Sequence, residues 1–333
     1  MMNRRTLIKA MAAAGVATPL LSSMTGCATS RTQANPAVAG KPRVVVIGGG
    51  FGGATAAKYL KRFDNNIDVT LVEKKESYWT CPGSNWYLAG LVDSKKIIQN
   101  YDSLKNKHGV RVIHDTVTGI TAANKEVQLA NGDVLGYDKL IVSPGIDFKY
   151  EEIEGYSAEV AKKLPHGYKA GVQTELLYKQ MREMKQGGTF VIAPPGNPYR
   201  CPPGPYERIS MVAEYFKKNN PTAKIICLDQ KNKFSKQGLF KEGWKALYGD
   251  MIEVVIGVDG GKVTKVDADT MTVYSDYGTI KADVINVIPN QKAGKLAFSA
   301  GLTDKSGWCP VNQETFESKI HPAVYVIGDA SIA

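Results

Sequence analysis

The haem-attachment motif C-x-x-C-H occurs nowhere in the chain, so covalently held c-type haem is excluded. No lysine or arginine run is interleaved with aromatic residues, although the formal net charge is +10. A nucleic-acid groove is therefore not expected. The scattered cations read as a diffusely solvated basic surface, with docking of an acidic protein as the sharper alternative. The apolar stretch near the amino terminus, Ala10 to Leu21, is too short to span a bilayer. There is no low-complexity tract, and no metal site is expected.

Residues 1–27 have the organisation of a targeting signal, with basic Arg4, Arg5 and Lys9, then the apolar stretch, then small residues. Asn3-Arg4-Arg5-Thr6-Leu7-Ile8-Lys9 resembles the twin-arginine export pattern, which carries proteins already folded around a cofactor. A periplasmic location is expected. Met24-Thr25-Gly26-Cys27 resembles a lipoprotein box, with Met where Leu is usual. Cys27 is either acylated, tethering the protein to a membrane, or lost with a cleaved peptide; the sequence leaves both open. Residues 28–42 form a linker rich in Ala, Thr, Ser and Pro.

The 333 residues, 43% of them hydrophobic, suffice for two cored domains. Arg43 to Ile47 is a β-branched run bounded by glycines, as in a strand buried on both faces of a parallel sheet. Helix formers at 53–62 and a second strand from Val69 to Glu73 complete a βαβ unit. Lys125 to Leu135, broken by Asn131-Gly132, predicts a hairpin, and Asp138 to Val142 a return to the sheet. A second α/β pattern runs from Thr189 to Ala193, through a helical stretch from Tyr206 to Lys217, to Lys224 to Asp229. Val284 to Ile288 and Val324 to Ile327 look like strands returning to the first sheet. The expected fold is α/β, with two Rossmann-like dinucleotide-binding domains: a first at 43–152 and 286–333, and a second, at 153–285, inserted within it.

Gly48-Gly49-Gly50-Phe51-Gly52-Gly53 satisfies G-x-G-x-x-G between a strand and a helix. Gly48 permits the tight turn, Gly50 lets a pyrophosphate approach the backbone, and Gly53 lets helix pack on strand. The helix start, with Phe51 and Gly52, offers free N–H groups and a positive dipole end. Glu73, twenty residues beyond Gly53 and followed by Lys74, can accept from ribose hydroxyls. Ser143-Pro144-Gly145 ends one later strand and Gly328-Asp329 another, an acid placed to reach a ribityl chain. This order favours FAD over NAD and resembles the two-dinucleotide-domain flavoproteins related to glutathione reductase. In the second domain the corresponding loop is Ala193-Pro194-Pro195-Gly196-Asn197-Pro198. Prolines lack the N–H groups that wrap a pyrophosphate, which argues against pyridine nucleotide.

Five cysteines include Cys27. Cys227 sits in an apolar strand and is expected to be an inert core residue. Cys201 precedes a helix start, where the dipole and Arg200 are expected to lower its thiol pKa. Cys309 lies in a loop near the return to the first domain. In an oxidising compartment Cys201 and Cys309 are able to pair, as a staple or as a redox couple, and spacing does not choose between them. Cys81, by spacing alone, is an ordinary loop cysteine.

From about Lys41 onward the chain resembles the flavoprotein subunit of flavocytochrome c sulfide dehydrogenase. The resemblance is carried by Ala54-Thr55-Ala56-Ala57-Lys58-Tyr59, Lys169-Ala170-Gly171, Cys201 to Glu207, Gly307 to Pro310 and Gly328 to Ala333. It implies FAD carried as a thioether on Cys81, a redox-active disulfide between Cys201 and Cys309, hydrosulfide as substrate, and a c-type cytochrome subunit as electron acceptor. Glu207 becomes a candidate proton acceptor, against the plainer role of a carboxylate at a helix start. Relatives continue past Ala333 with a third domain, so the chain looks short at its carboxyl end. The alternatives are a sulfide:quinone oxidoreductase, which needs an amphipathic membrane-inserting terminus, and a non-catalytic flavin-binding partner protein.

Overall fold

The computed structural model describes residue 35 and residues 40–331. The export-signal and Cys27 readings, and most of the linker, lie outside the described residues.

The β-branched run forms β1 (Arg43–Ile47), buried along nearly its whole length. The glycine loop leads into α1 (Phe51–Phe63), whose last turn carries Lys61 and Arg62 against its negative dipole end. Next come β2 (Asp68–Val72), the short α2 (Ser84–Leu88), β3 (Arg111–Ile113) and β4 (Lys139–Val142). Helix α3 (Val172–Glu183) leads into β5 (Thr189–Ala193) and α4 (Gly204–Asn219). Strands β6 (Lys224–Leu228), β7 (Ile252–Val255), β8 (Val284–Val287) and β9 (Val324–Val326) follow. The hairpin expected around Asn131-Gly132 is present, joining strands Glu126–Leu129 and Val134–Gly136.

Two parallel sheets result. The first has the order β9-β4-β1-β2-β3 and the second β7-β6-β5-β8. Because the second sheet lies between β4 and β9 in the chain, the second Rossmann-like fold is inserted in the first. One expected strand goes elsewhere. Val284–Val287 does not return to the first sheet but pairs with β5, Phe190 opposite Val284. Asp283 locks that register, its carboxylate accepting from Thr189 N at 2.8 Å while its own N–H donates to Thr189 O. The crossing back is made by Gln291–Ala293, antiparallel to Ile146–Phe148, so only β9 closes the first sheet.

This order decides where a ligand can sit. In an open parallel sheet the crevice forms where strand order reverses, at the carboxyl ends. In the first sheet that point lies between β1 and β4, which places Gly48 beside Ser143 and, one strand further, Gly328-Asp329. In the second sheet it lies between β5 and β8, at the proline loop. A cavity of about 250 Å³ there is lined by Pro194, Gln230, Lys262 and Asn290. The groups a dinucleotide would use have protein partners. Gly196 N donates to Asn290 Oδ1 at 2.7 Å, Lys231 Nζ donates to Pro195 O, and the buried Asp229 carboxylate accepts from Lys231 and Tyr206. Cys227, on β6, is wholly buried and its thiol is pushed far up by that burial, consistent with an inert core residue.

Candidate functional site

Each glycine of the first loop meets a different constraint. Gly48 has φ +94°, and a Cβ there would overlap the Ser143 carbonyl oxygen; at Gly53 it would overlap the Gly48 carbonyl oxygen. These two fix the turn and the contact of α1 with β1. At Gly50 a Cβ would find only Tyr78, at 3.7–3.8 Å, so this position leaves the backbone open to a ligand. Gly49 makes room for Tyr101, whose hydroxyl donates to Gly49 O at 3.0 Å. No side chain caps α1, and the exposed Phe51 leans edge-on against Tyr78 with ring centroids 5.8 Å apart. Uncapped N–H groups behind an open glycine fit a dinucleotide pyrophosphate.

Glu73 stands where an acid was expected, but its oxygens also brace the loop by accepting from Gly49 N (2.8 Å) and Lys75 N (3.0 Å). A cleft of about 540 Å³ is lined by Gly48, Glu73, Lys74, Pro144 and Lys169. Ser143 binds loop to strand, its N–H donating to Ile47 O, and its hydroxyl lies close to both Gly52 and Gly328. Gly145, at φ +66°, takes a backbone conformation that glycine adopts freely. This set fits a flavin dinucleotide: Gly48–Gly53 would hold its pyrophosphate and Glu73 would face its adenosine ribose.

A second cavity, about 390 Å³, gathers Cys81, Arg200, Cys201, Glu207, Arg208 and Asp329 with Asn85 and Tyr168. Arg200 ties three chain segments together. It donates to Cys81 Sγ at 2.8 Å, pairs with Asp329 at 3.1 Å, and contacts Tyr168 O. Asp329, three residues beyond β9, is thus bound to Arg200. Cys201 is exposed at the cavity wall, with φ +53° in a non-glycine residue preceding proline. Such a conformation costs on the order of 1–3 kcal/mol and persists only where the surroundings impose it. Tyr168 OH donates to Cys201 O at 3.0 Å and Gly204 N donates to the same oxygen at 2.8 Å, which pins this turn.

The expected low thiol pKa at Cys201 is not found. The thiol is raised, first by loss of solvent around the sulfur and then by the Glu207 carboxylate; the Gly204 N–H and Arg200 pull the other way without prevailing. The expected pairing with Cys309 is not formed either, since both are free thiols. Cys309 is 1% exposed and lines a separate small cavity with Asp304, Trp308 and Pro310. Burial, then Asp304, pushes its thiol up to about 12. Its N–H donates to Ala330 O at 3.0 Å, beside a bridge that pairs Cys309 with Ser331. The thiol that shares a cavity with Cys201 is Cys81.

Several site residues left no motif in the sequence. Tyr78 stands between the glycine loop and the cysteine cavity, its hydroxyl pushed up to about 12 by burial and then by Cys81. Asn85 on α2 donates to Glu207 Oε2 at 2.7 Å and to Gly204 O at 3.2 Å. Glu207, in the first turn of α4, thus lines the cavity as an acceptor.

His166 lies buried beneath, its Nδ1 accepting from Tyr168 N at 3.0 Å and its ring on Phe148. Burial, then Lys169, Arg208 and Arg200, lowers its pKa from 6.5 to about 3. Because the folded value lies below the unfolded one, the unfolded chain takes the proton first. The stabilisation is complete above about pH 6.5 and is lost as pH falls toward 3. Urea titrations at pH 7, 5.5 and 4.5 should show stability falling by up to about 1.4 kcal/mol per pH unit from this group. His166→Asn should flatten that slope; an unchanged slope would remove His166 as its source.

Comparison with known proteins supports this reading of the fold. Residues 174–289 match the central region of the sulfide dehydrogenase (flavocytochrome c) flavoprotein chain, and residues 42–183 match the pyridine nucleotide-disulphide oxidoreductases. Mitochondrial sulfide:quinone oxidoreductase of Mus musculus is 25% identical over 305 residues, covering 86% of this chain and 65% of that protein. The sulfide dehydrogenase flavoprotein chain of Chlorobaculum thiosulfatiphilum is 63% identical over 46 residues, 14% of this chain and 96% of that sequence. Among solved structures, the sulfide:quinone oxidoreductase of Aquifex aeolicus superposes with TM-score 0.73 at 18% identity, over 87% of this chain and 69% of its own. The chain spans 65% of the length of the mouse enzyme and of its Dictyostelium discoideum counterpart. Among the described residues no helix is long and apolar enough to cross a membrane, and no His, Cys, Asp and Glu cluster could hold a metal. With two dinucleotide folds, a glycine loop and cysteines at their junction, the chain belongs to the flavoprotein oxidoreductase family that includes the sulfide:quinone oxidoreductases and the flavocytochrome c flavoprotein chains.

Proposed function

We propose that this protein oxidises hydrosulfide and passes the electrons to a c-type cytochrome subunit. The observation that carries the reading is the convergence of Cys81, Arg200, Cys201 and Glu207 on one cavity at the junction of the two dinucleotide folds. Bound FAD supplies a two-electron acceptor that is reoxidised one electron at a time. Cys201, the exposed thiol, takes the substrate sulfur. Joining HS⁻ to the Cys201 thiol as a persulfide releases one proton and two electrons, and Glu207 stands in the same cavity to accept the proton. Arg200 donates to Cys81 Sγ and orients that sulfur, and in this proposal Cys81 is the residue that would carry the flavin as a thioether.

The decisive experiment is anaerobic titration of the flavin-loaded, full-length protein with sulfide. Bleaching of the flavin absorbance supports the enzyme; an unchanged spectrum leaves a flavin-binding partner protein. Reoxidation by cytochrome c against a short-chain quinone then tests the acceptor. The quinone reading has its own support, since the relatives matched over most of this chain are sulfide:quinone oxidoreductases. Gel filtration in acid tests the Cys81 linkage, because covalent flavin elutes with the polypeptide and non-covalent flavin does not. Periplasmic export through residues 1–27 belongs to the same proposal. Cell fractionation of an Arg4→Lys, Arg5→Lys variant checks it, with cytoplasmic retention as the expected result.

A further inference from the structure

Among the described residues Arg208 is the largest side chain wholly buried, 2% exposed, and it lines the cavity of Cys81 and Cys201. All four of its hydrogen bonds go to uncharged oxygens. Nε donates to Asn85 Oδ1 (3.1 Å), Nη1 to His166 O (3.0 Å) and Asn286 Oδ1 (2.9 Å), and Nη2 to Gly167 O (2.6 Å). Among the described residues no carboxylate comes within ion-pairing distance of it. The two acids of the cavity are otherwise engaged: Asp329 pairs with Arg200, and Glu207 reaches Arg208 only through the amide of Asn85. Burying a cation without a contacting anion is strongly unfavourable, and proteins seldom retain one without a partner.

The geometry shows where such a partner would stand. Gly204 and Arg208 are one turn apart on α4, and the Cβ that Gly204 lacks would lie 3.1 Å from Cys201 Sγ. The guanidinium and the reactive sulfur therefore flank the same space. Tyr168 separates the two arginines, with Arg200 at 5.7 Å and Arg208 at 5.5 Å from its ring centre. This leaves one cation anchored by Asp329 at the wall and a second behind it, on which Glu207 acts without contacting it.

We propose that this cavity is a binding site for a small anion, with Arg208 as its buried counter-charge. The inference deepens the sulfide reading and rests on it for the identity of the substrate, but the anion site itself is testable without sulfide or turnover.

Cys201 in the flavin-loaded, full-length protein would be alkylated with iodoacetate and, separately, with iodoacetamide, and followed by peptide mass spectrometry. Both reagents consume the same thiolate, so the ratio of their rates cancels the thiolate population and reports the potential at the sulfur. The ratio should exceed that of an unstructured cysteine peptide by on the order of tenfold, the effect of one unit charge several ångströms away in a protein interior. Arg208→Gln should bring it down to the peptide value, and Arg208→Lys should keep most of it. A wild-type ratio at or below the peptide's overturns the site, and this arm stands even if the glutamine variant fails to fold. A folded glutamine variant with the wild-type ratio overturns the assignment to Arg208. Anion preference without sulfide-dependent bleaching would keep the anion site and remove the sulfide substrate, whereas bleaching without anion preference would do the reverse.

Discussion

Serine at position 201 should lower the rate of sulfide-dependent flavin bleaching by on the order of 10³-fold or more, while alanine at position 309 should leave it within about threefold. The contrast follows from geometry. Cys201 is exposed at the wall of the cavity that also holds Cys81, Arg200 and Glu207. Cys309 is buried in another, its thiol pushed up to about 12, so it is neither accessible nor ionised at neutral pH. Removing its sulfur should cost on the order of 1 kcal/mol of stability through lost packing. Stopped-flow bleaching of the two variants, with thermal unfolding as a control, decides the matter. Equal losses of 10³-fold in both would restore the disulfide that the family resemblance implied and would mean that Cys309 moves to Cys201 on oxidation.

The fold was largely legible because parallel strands announce themselves. Arg43–Ile47 and Thr189–Ala193 are short buried runs bounded by turn residues, and the glycine spacing ties the first of them to a helix. Val284–Val287 was misplaced because every buried parallel strand looks alike. Nothing in those residues says which sheet they join, and the choice is made by the Asp283 contact to Thr189, across 94 positions. The site was legible where function rests on backbone, at Gly48, Gly50 and Gly53. It was illegible where function rests on burial. Arg208, in the stretch Tyr206-Glu207-Arg208, is indistinguishable in sequence from a solvated helix arginine, and only the packing of Asn85, Gly167 and Asn286 around it gives it meaning. The error at Cys201 is of the same kind. The helix dipole and Arg200 were visible in sequence, but the desolvation and the Glu207 carboxylate that outweigh them depend on the folded cavity.

Two glycines of the same loop should respond to alanine in opposite ways, which separates a structural requirement from a ligand requirement. At Gly53 the new methyl would overlap the Gly48 carbonyl oxygen and come within 3.3 Å of Val46, so α1 has to lift from β1. Gly53→Ala is expected to cost about 3 kcal/mol or more and to lower the melting temperature of the flavin-free protein by about 5–10 °C. Gly50 already has an ordinary extended backbone, φ −69° and ψ −170°, and its methyl would meet only Tyr78 at van der Waals distance. Gly50→Ala should therefore fold with a melting temperature within about 2 °C of the flavin-free parent. The methyl would stand where a pyrophosphate meets the chain, and FAD affinity should fall by on the order of a hundredfold, read by flavin fluorescence on titration. If Gly50→Ala holds FAD as tightly as the parent, this loop is not the phosphate cradle. If Gly53→Ala melts with the parent, the close contact of α1 with β1 does not support the fold in the way the geometry requires.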